Sequence, residues 1–316
     1  MRIRGLIRRT RRSGVFDIWS SIYSTIQRPF SNGSQNQRSR YKHIKIDDEE
    51  SQFGDKPLHS LKSHKPLNRT MRLLILIPVF IILTILILAY IIYRPPNLLI
   101  RYFQYHNPGV IFHVPLPPSQ RVIALTLDDA PSSETPKILD LLKAHNATAT
   151  FFIIGSQALR YPEIIKRIHA EGHELGNHAM TDDPSFALPL SELSRQIKEV
   201  EAMLPANANG LRYFRPGSGW FNAGMLERVE KLGYKLVLGS VYPHDPQIAK
   251  PRLNAWHVLS MIRPGSVVIM HDRRGYSAEQ VERVLRGLDE KGFKAVSVGG
   301  LLALKEGEEK KKKKGG

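Results

Sequence analysis

Hydrophobic and polar residues follow different patterns in different parts of the chain. One stretch, Leu73–Tyr93, is apolar on every face for 21 residues and contains no charged side chain. From Arg121 onward, short apolar runs of strand length alternate with segments whose apolar residues recur at helical spacing. Residues 30–68 are polar and show neither period. The pattern predicts a long apolar helix followed by an α/β domain.

The apolar stretch is long enough to cross a membrane, which takes about 20 residues. The alternative is a buried core helix, but such helices are rarely apolar on every face over six turns. More basic side chains precede the stretch (Lys62, Lys65, Arg69, Arg72) than follow it (Arg94, Arg101). Since basic flanks stay cytoplasmic, we expect a single-pass type II protein whose later domain is lumenal or extracellular. The arginine-rich start also resembles a mitochondrial presequence, and a mitochondrial membrane is the weaker alternative.

Seven apolar runs after Arg121 are typical of buried strands: RVIALTLDD, TATFFII, HELG, LRYF, YKLVLGS, SVVIMHD and KAVSV. A segment with helical periodicity separates each run from the next, which favours a mostly parallel sheet of βα units. About seven such units predict a closed or nearly closed barrel. The expected fold is therefore α/β, a distorted (β/α)7 barrel preceded by one transmembrane helix and a disordered basic N-terminal segment.

Composition refines this organisation without changing it. The chain has no cysteine, which excludes disulfides, thiolate metal sites and cysteine nucleophiles. Its net charge of +17 is concentrated at the two ends, so the mildly basic middle is not interpreted as a nucleic-acid binder. The predicted segments are a disordered basic segment over 1–70, a spanning helix over 71–94, a lead-in over 95–120, the barrel over 121–304 and a disordered lysine-rich tail over 305–316.

Polar side chains recur where the predicted strands end. These residues are Asp128 and Asp129, His178 and Asp182, Arg215, Asp245, and His271 and Asp272. A surface loop explains any one of them, but it explains poorly why strand after strand ends in Asp, His or Arg. In βα barrels the carboxyl ends of the strands meet at one rim, where catalytic groups converge.

Three of these residues could share a metal ion. His178 and Asp182 are four positions apart, which on one helical turn places both on the same face. The alternative is a satisfied polar loop, because the segment is rich in turn residues. Asp128 and Asp129 are adjacent on a predicted strand end, so one carboxylate can face a metal while the other faces a substrate water. Asp129, His178 and Asp182 together suit zinc or another divalent ion.

His271 follows the apolar run SVVIM and is a candidate general acid. The alternative is a buried structural histidine. Ile269, two residues earlier, is expected to line a pocket of acetyl size.

Five segments in order resemble the motifs of polysaccharide deacetylases with the NodB homology domain (carbohydrate esterase family 4). The segments are LTLDDAPS, GHELGNHAMTDD, YFRPGSGW, YPHDP and VVIMHD. The resemblance covers residues 121–304. It implies a distorted (β/α)7 barrel and metal-dependent removal of N-acetyl groups from chitin-like polymers.

The resemblance also implies roles for individual residues. Asp128 would be the catalytic base, with Asp129 and His178 as metal ligands and His271 as the acid. Arg215 would orient Asp128. We further expect Asp245 to help Arg215 hold the base in place.

Three departures from the family pattern affect the expected substrate groove. Asp182 stands where a second histidine is usual, and a carboxylate is a competent zinc ligand. The third motif has Ser218 in place of its usual tyrosine. A backbone N–H at Ser218 can still hold an oxyanion, while Trp220 is the nearest aromatic side chain in sequence. In the fourth motif Pro246 follows Asp245 in place of a tryptophan.

The sequence thus predicts a membrane-anchored hydrolase that removes N-acetyl groups from chitin-like or other N-acetylglucosamine polymers. Zn²⁺ is the expected metal, with Co²⁺ as an alternative. Two other hypotheses remain open: an enzyme of the same fold that acts on another non-peptide C–N bond, and a non-catalytic glycan-binding barrel.

Overall fold

The computed structural model describes residues 68–314, which lie within one compact unit. The predicted disorder of residues 1–67 therefore lies outside the described part of the chain. Helix α1, Arg69–Tyr93, begins where the side chain of Asn68 accepts a hydrogen bond from the Met71 amide at 2.8 Å. None of its residues is buried. Among the described residues, it is the one helix long and apolar enough to cross a membrane.

Strands and helices alternate after α1, as the hydrophobic pattern predicts. The strands are β1 Val110–Ile111, β2 Val122–Ala130, β3 Thr150–Ile153, β4 Glu174–Asn177, β5 Arg212–Phe214, β6 Tyr234–Val237, β7 Val267–His271 and β8 Lys294–Val296. The further helices are α2 Asn97–His106, α3 Thr135–Ala144, α4 Gly155–Ala158, α5 Pro162–Ala170, α6 Leu190–Glu201, α7 Ala223–Lys231, α8 Pro251–Met261, α9 Ser277–Glu290 and α10 Val298–Lys314.

The strands form one curled parallel sheet. Its order is β1-β6-β5-β4-β3-β2-β7, and β8 pairs with β2 beside this path. The curl brings β7 to the segment after β6, where the amides of Ser240 and Val241 donate to the carbonyl of Val267. The predicted distorted βα barrel is confirmed in this curled, open form. Parallel pairing places the carboxyl ends of all these strands at one rim.

The side chains of β2 alternate between the two faces of the sheet. Leu125 and Leu127 pack outward with helix residues, whereas Ala124 faces the interior core. Thr126 and Asp128 share the face of Ala124 because strand side chains repeat every two residues. Helix α9 covers the outer face with a stripe at i, i+3, i+4 and i+7: Val281, Val284, Leu285 and Leu288.

Two segment assignments differ from the sequence-based ones. The lead-in over 95–120 contains α2 and β1, and β1 pairs with β6, so the sheet begins before residue 121. The predicted disordered tail is helical as far as Lys314. Charge composition suggested disorder there, but the helix starts at the buried Val298 and continues with ion pairs at helical spacing, such as Lys311–Glu308 at 3.0 Å.

Candidate active site

Arg215 and Asp128 form a buried ion pair at the carboxyl rim. Arg215 follows β5 directly and is 1% exposed, and its Nη1 lies 2.5 Å from Oδ1 of Asp128. The same guanidinium donates to Thr126 Oγ1 at 2.7 Å and to the carbonyls of Val237 and Leu238 at 3.1 Å. Burial lowers the pKa of Arg215, and the charge of Asp128 opposes that shift. The arrangement places the guanidinium where it orients one oxygen of Asp128.

Asp245 holds His271. The Nδ1 atom of His271 lies 2.8 Å from Oδ1 of Asp245, and the His271 amide donates to Oδ2 at 2.9 Å. The expectation that Asp245 helps to hold Asp128 is therefore wrong, because the carboxylate of Asp245 binds His271 and Gln280 instead. The loop after β6 brings Asp245 to β7, a contact that sequence separation does not reveal.

His271 lies beside Asp128 on the sheet. The two residues are partners in the register of β7 and β2. Burial lowers the pKa of His271, but the charge and hydrogen bond of Asp245, with Asp128 and Asp129, outweigh it and raise the pKa to about 9. Burial likewise raises the pKa of Asp245, and the charge and hydrogen bonds of His271 outweigh it and lower the pKa. The contact with Asp245 and the raised pKa favour the protonated imidazole that a general acid needs.

Asp129, His178 and Asp182 converge on a small space. Nε2 of His178 lies 3.9 Å from Oδ1 of Asp129 and 3.8 Å from Oδ1 of Asp182. One ligand atom from each residue lies within 4.8 Å of the others. Nδ1 of His178 lies 2.7 Å from the carbonyl of Arg215 and donates to it, so Nε2 is the nitrogen that faces the two carboxylates.

These residues fit a divalent metal ion. Oδ1 of Asp129 is buried without a hydrogen-bond partner, which leaves a charged oxygen that a cation would satisfy. A nitrogen and two carboxylate oxygens are ligands that zinc accepts. The ligand atoms and the unsatisfied carboxylate oxygen are therefore both consistent with a divalent metal ion at this position.

Local backbone geometry differs from the predicted form. Residues 178–184 form a loop, not a helical turn, and Ala179 has a φ of 62°. Asp129 has a φ of 63° next to a register shift in β2, so it departs from simple strand alternation. The carboxylate of Asp129 lies near His178, Arg273 and Arg274, whereas that of Asp128 binds Arg215. Both left-handed residues aim ligands at one point, which is a common use of strained backbone at functional sites.

The three residues that directly follow His271 also lie at the site, although the sequence analysis gave them no role. Asp272 is wholly buried and accepts from Ser132 Oγ at 2.6 Å and from Thr135 Oγ1. Burial raises its pKa. Nη2 of Arg274 and Nη2 of Arg273 lie 3.4 Å and 3.5 Å from Oδ2 of Asp129. Because these residues directly follow a histidine at a strand end, the sequence could have indicated that they lie near the site.

The proposed substrate-binding residues lie in two places. Ser218 has a φ of 59° in the turn Gly217–Gly219 and is exposed. That turn packs against the loop of residues 178–184, since a Cβ at Gly217 would lie 2.2 Å from the carbonyl oxygen of Asp183. Trp220 follows this turn and is half-buried. Ile269 is half-buried two positions before His271 on β7, and its side chain packs over Gly239. The roles of Ser218, Trp220 and Ile269 stay predictions.

Removal of Asp182 should weaken metal binding. We expect Asp182→Ala to lower metal affinity more than about 100-fold, because even an outer partner of a metal ligand typically contributes about 10–100-fold. Asp182→His should retain binding, since imidazole is an equivalent ligand. Titration calorimetry with Zn²⁺ measures both. Asp183→Ala is the matched control because its carboxylate accepts from Thr181 Oγ1 at 2.7 Å. Equal affinity in Asp182→Ala and Asp183→Ala would remove Asp182 from the metal site.

The pKa of His271 predicts the alkaline limit of activity. We expect kcat/KM for an acetamide substrate to fall as the pH rises through about 9, where His271 loses its proton. Asp245→Asn should move this limit to lower pH, because an amide does not stabilise the imidazolium. A pH–rate profile of both chains measures the shift. An unchanged limit in Asp245→Asn would show that another group titrates there.

A curled βα barrel with carboxylates, histidines and a buried arginine gathered at its carboxyl rim is the arrangement of a barrel enzyme. Residues 116–237 match the polysaccharide deacetylase family model. A peptidoglycan-N-acetylglucosamine deacetylase of Bacillus cereus is 31% identical over 196 residues, which cover 60% of this chain and 92% of that one. The chain belongs to the polysaccharide deacetylase family.

Solved structures resemble this fold over the same region. The peptidoglycan deacetylase PdaC from Bacillus subtilis matches with a TM-score of 0.56 and 29% identity, over 62% of this chain and 97% of that one. A pseudoenzyme of carbohydrate esterase family 4 from Bacillus anthracis matches with a TM-score of 0.56 and 26% identity, over 62% of this chain and 69% of that one. The fold thus occurs both with and without activity, so activity has to be argued from the residues at the rim.

Proposed function

We propose that this chain is a membrane-anchored, metal-dependent N-deacetylase of polymers that contain N-acetylglucosamine. The observation that carries the proposal is the register pairing of Asp128 with His271, with Asp129, His178 and Asp182 beside them. A base and an acid on neighbouring strands can act on one amide bond, the base on the attacking water and the acid on the leaving nitrogen. The relatives' names include a peptidoglycan-N-acetylglucosamine deacetylase and a chitooligosaccharide deacetylase, and N-acetylglucosamine is the unit that peptidoglycan shares with chitin.

Asp128 is the proposed general base. Arg215 occupies Oδ1 of Asp128, so the other oxygen is left to take a proton from the attacking water. The buried guanidinium fixes the direction of the carboxylate through its bonds to Thr126 and to two backbone carbonyls. A base held in this way does not have to be ordered when the substrate arrives.

His271 is the proposed general acid. Asp245 holds Nδ1, so Nε2 is the nitrogen that can donate to the departing amine. The balance is simple: water adds to the acetyl carbon, the C–N bond breaks, and acetate and a free amine leave. The backbone N–H of Ser218 is the proposed donor to the oxyanion, and Ile269 the proposed wall of the acetyl pocket.

Asp129, His178 and Asp182 would hold the metal. A divalent ion bound there would polarise the acetyl carbonyl and lower the pKa of a bound water towards neutrality. Zn²⁺ is the proposed ion and Co²⁺ the alternative. Nη2 of Arg273 also lies 4.0 Å from Oδ2 of Asp182. Its positive charge therefore offsets the repulsion between the carboxylates of Asp129 and Asp182.

Acetate release tests the function. The full chain in detergent is given chitin oligomers and peptidoglycan, with a chelator and after Zn²⁺ or Co²⁺ is restored. We expect acetate from at least one polymer, loss with the chelator and recovery with the metal. Metal binding without acetate from any N-acetylated glycan would instead favour the non-catalytic barrel. The altered third and fourth motifs support a different alternative, an enzyme of the same fold that acts on another non-peptide C–N bond.

The topology is proposed from the basic flanks of α1, with residues 1–70 cytoplasmic and the barrel lumenal. Three glycosylation sequons can report the orientation: Asn146-Ala147-Thr148 in the exposed turn before β3, Asn32-Gly33-Ser34 before α1, and Asn68-Arg69-Thr70 at the start of α1. On translation into microsomes, we expect a glycosidase-sensitive mass shift that Asn146→Gln removes and Asn32→Gln leaves. The reverse result would place the barrel on the cytoplasmic side.

A further inference from the structure

The last residue of the apolar helix packs on the loop that carries Asp245. The ring of Tyr93 stacks on the ring of His244, with centroids 5.0 Å apart and an interplanar angle of 19°. Nε2 of His244 also lies 3.0 Å from the carbonyl oxygen of Tyr93. A carbonyl only accepts, so Nε2 carries the proton and donates. Burial lowers the pKa of His244, and the hydrogen bond to Tyr93 opposes that shift.

The end of α1 is attached to the barrel at a second point. The next residue, Arg94, donates from Nη1 to Oγ and from Nη2 to the carbonyl of Ser260, both at 2.9 Å. Ser260 lies on α8, and His257 of the same helix lies 4.4 Å from Tyr93, centroid to centroid. Tyr93 is therefore clamped between α8 and the loop after β6, and its ring cannot shift without disturbing one of them.

His244 connects this contact to the proposed acid. It directly precedes Asp245, which holds both Nδ1 and the amide of His271. The ring of Tyr242 lies 4.7 Å from that of His244 and 5.9 Å from that of His271. His244 has a φ of 58°, a left-handed conformation that a non-glycine residue adopts only when its surroundings hold it. The Tyr93 contacts are part of those surroundings.

We propose that Tyr93 is a positioning residue for His271 that acts through His244 and Asp245. The inference rests on the proposed function, because it assumes that His271 is the acid. The end of the apolar helix is then part of the catalytic assembly as well as the start of the anchor. Tyr276 and Gln280 also bind Asp245, through its carbonyl and its carboxylate. Loss of Tyr93 alone should therefore misplace Asp245 without releasing it.

Substitution of Tyr93 in the full chain in detergent tests the proposal. We expect Tyr93→Ala to lower kcat on an acetamide about tenfold, with KM and metal content unchanged, since small misplacements of catalytic groups cost up to about 100-fold. Tyr93→Phe should restore kcat because it keeps the stacked ring. Tyr90→Ala is the matched control: Tyr90 is on the same helix and 60% exposed. An aryl acetate, whose leaving group needs no acid, should be affected much less.

A double-variant cycle guards against a general folding defect. If Tyr93 acts through His244, the pair Tyr93→Ala with His244→Ala should lose no more kcat than the more damaging single variant. Equal losses on ester and amide, loss of metal, or additive effects in the cycle would each overturn the proposal. So would an unchanged kcat in Tyr93→Ala. A wild-type chain that releases no acetate would overturn the proposed function, and this inference with it.

Discussion

Asp128→Asn is expected to lower kcat by about 10²–10⁴-fold, the usual contribution of a general base, while the metal stays bound. Asparagine keeps the shape of aspartate and an oxygen for Arg215, but its amide cannot take a proton from water. The change leaves the proposed metal ligands in place, which are Asp129, His178 and Asp182. The measurements are kcat for acetate release and metal content by mass spectrometry.

Asp272→Asn is the matched control for this prediction. Its carboxylate is also buried at the rim, but it binds Ser132 and Thr135 and has no place in the proposed mechanism. We expect a lower unfolding temperature with kcat largely retained. If Asp128→Asn kept kcat within tenfold of the wild type, the base would have to be another group.

His271→Ala is expected to lower kcat on an acetamide by about 10²–10⁴-fold, again with metal content unchanged. An amine leaves only when its nitrogen is protonated, and the change removes the proposed donor. A phenolic acetate leaves without protonation, so its hydrolysis should fall much less. Asp128→Asn should be poor on both substrates, because each needs an activated water.

The two substrates therefore separate the acid from the base. The comparison uses the same chain preparations with an N-acetylated sugar oligomer and an aryl acetate. An equal loss of ester and amide activity in His271→Ala would contradict the acid role. It would point instead to a histidine that positions the substrate or the neighbouring Asp128.

The fold was largely predictable because it depends on local periodicity. Apolar runs of strand length alternate with amphipathic segments, and this alternation predicts a parallel βα sheet. The observed strand ladders are all parallel. The same pattern placed Asp128, His178, Arg215 and His271 at strand ends. Since parallel strands end at one rim, their proximity followed from the class of fold. The helix over Asn97–His106 was missed because its apolar stripe is short, with Ile100 its one buried residue.

The partners of each rim residue depended on more than periodicity. Asp245 was expected beside Asp128, but the loop after β6 carries it to His271. His178 and Asp182 meet through a loop with a left-handed Ala179, which spacing alone cannot distinguish from a helical turn. Long-range contacts of this kind depend on where loops bend and on how far the sheet curls.

By itself the sequence determined the apolar helix, the parallel βα domain and the set of chemical groups at its rim. Those properties follow from residue type and spacing, because burial of a face requires a matching period. Only the tertiary structure decided which groups touch: Arg215 with Asp128, Asp245 with His271, and Tyr93 with His244. The residues of each pair are far apart along the chain, and the convergence of strands and loops brings them together. No local sequence pattern specifies which residues meet in this way.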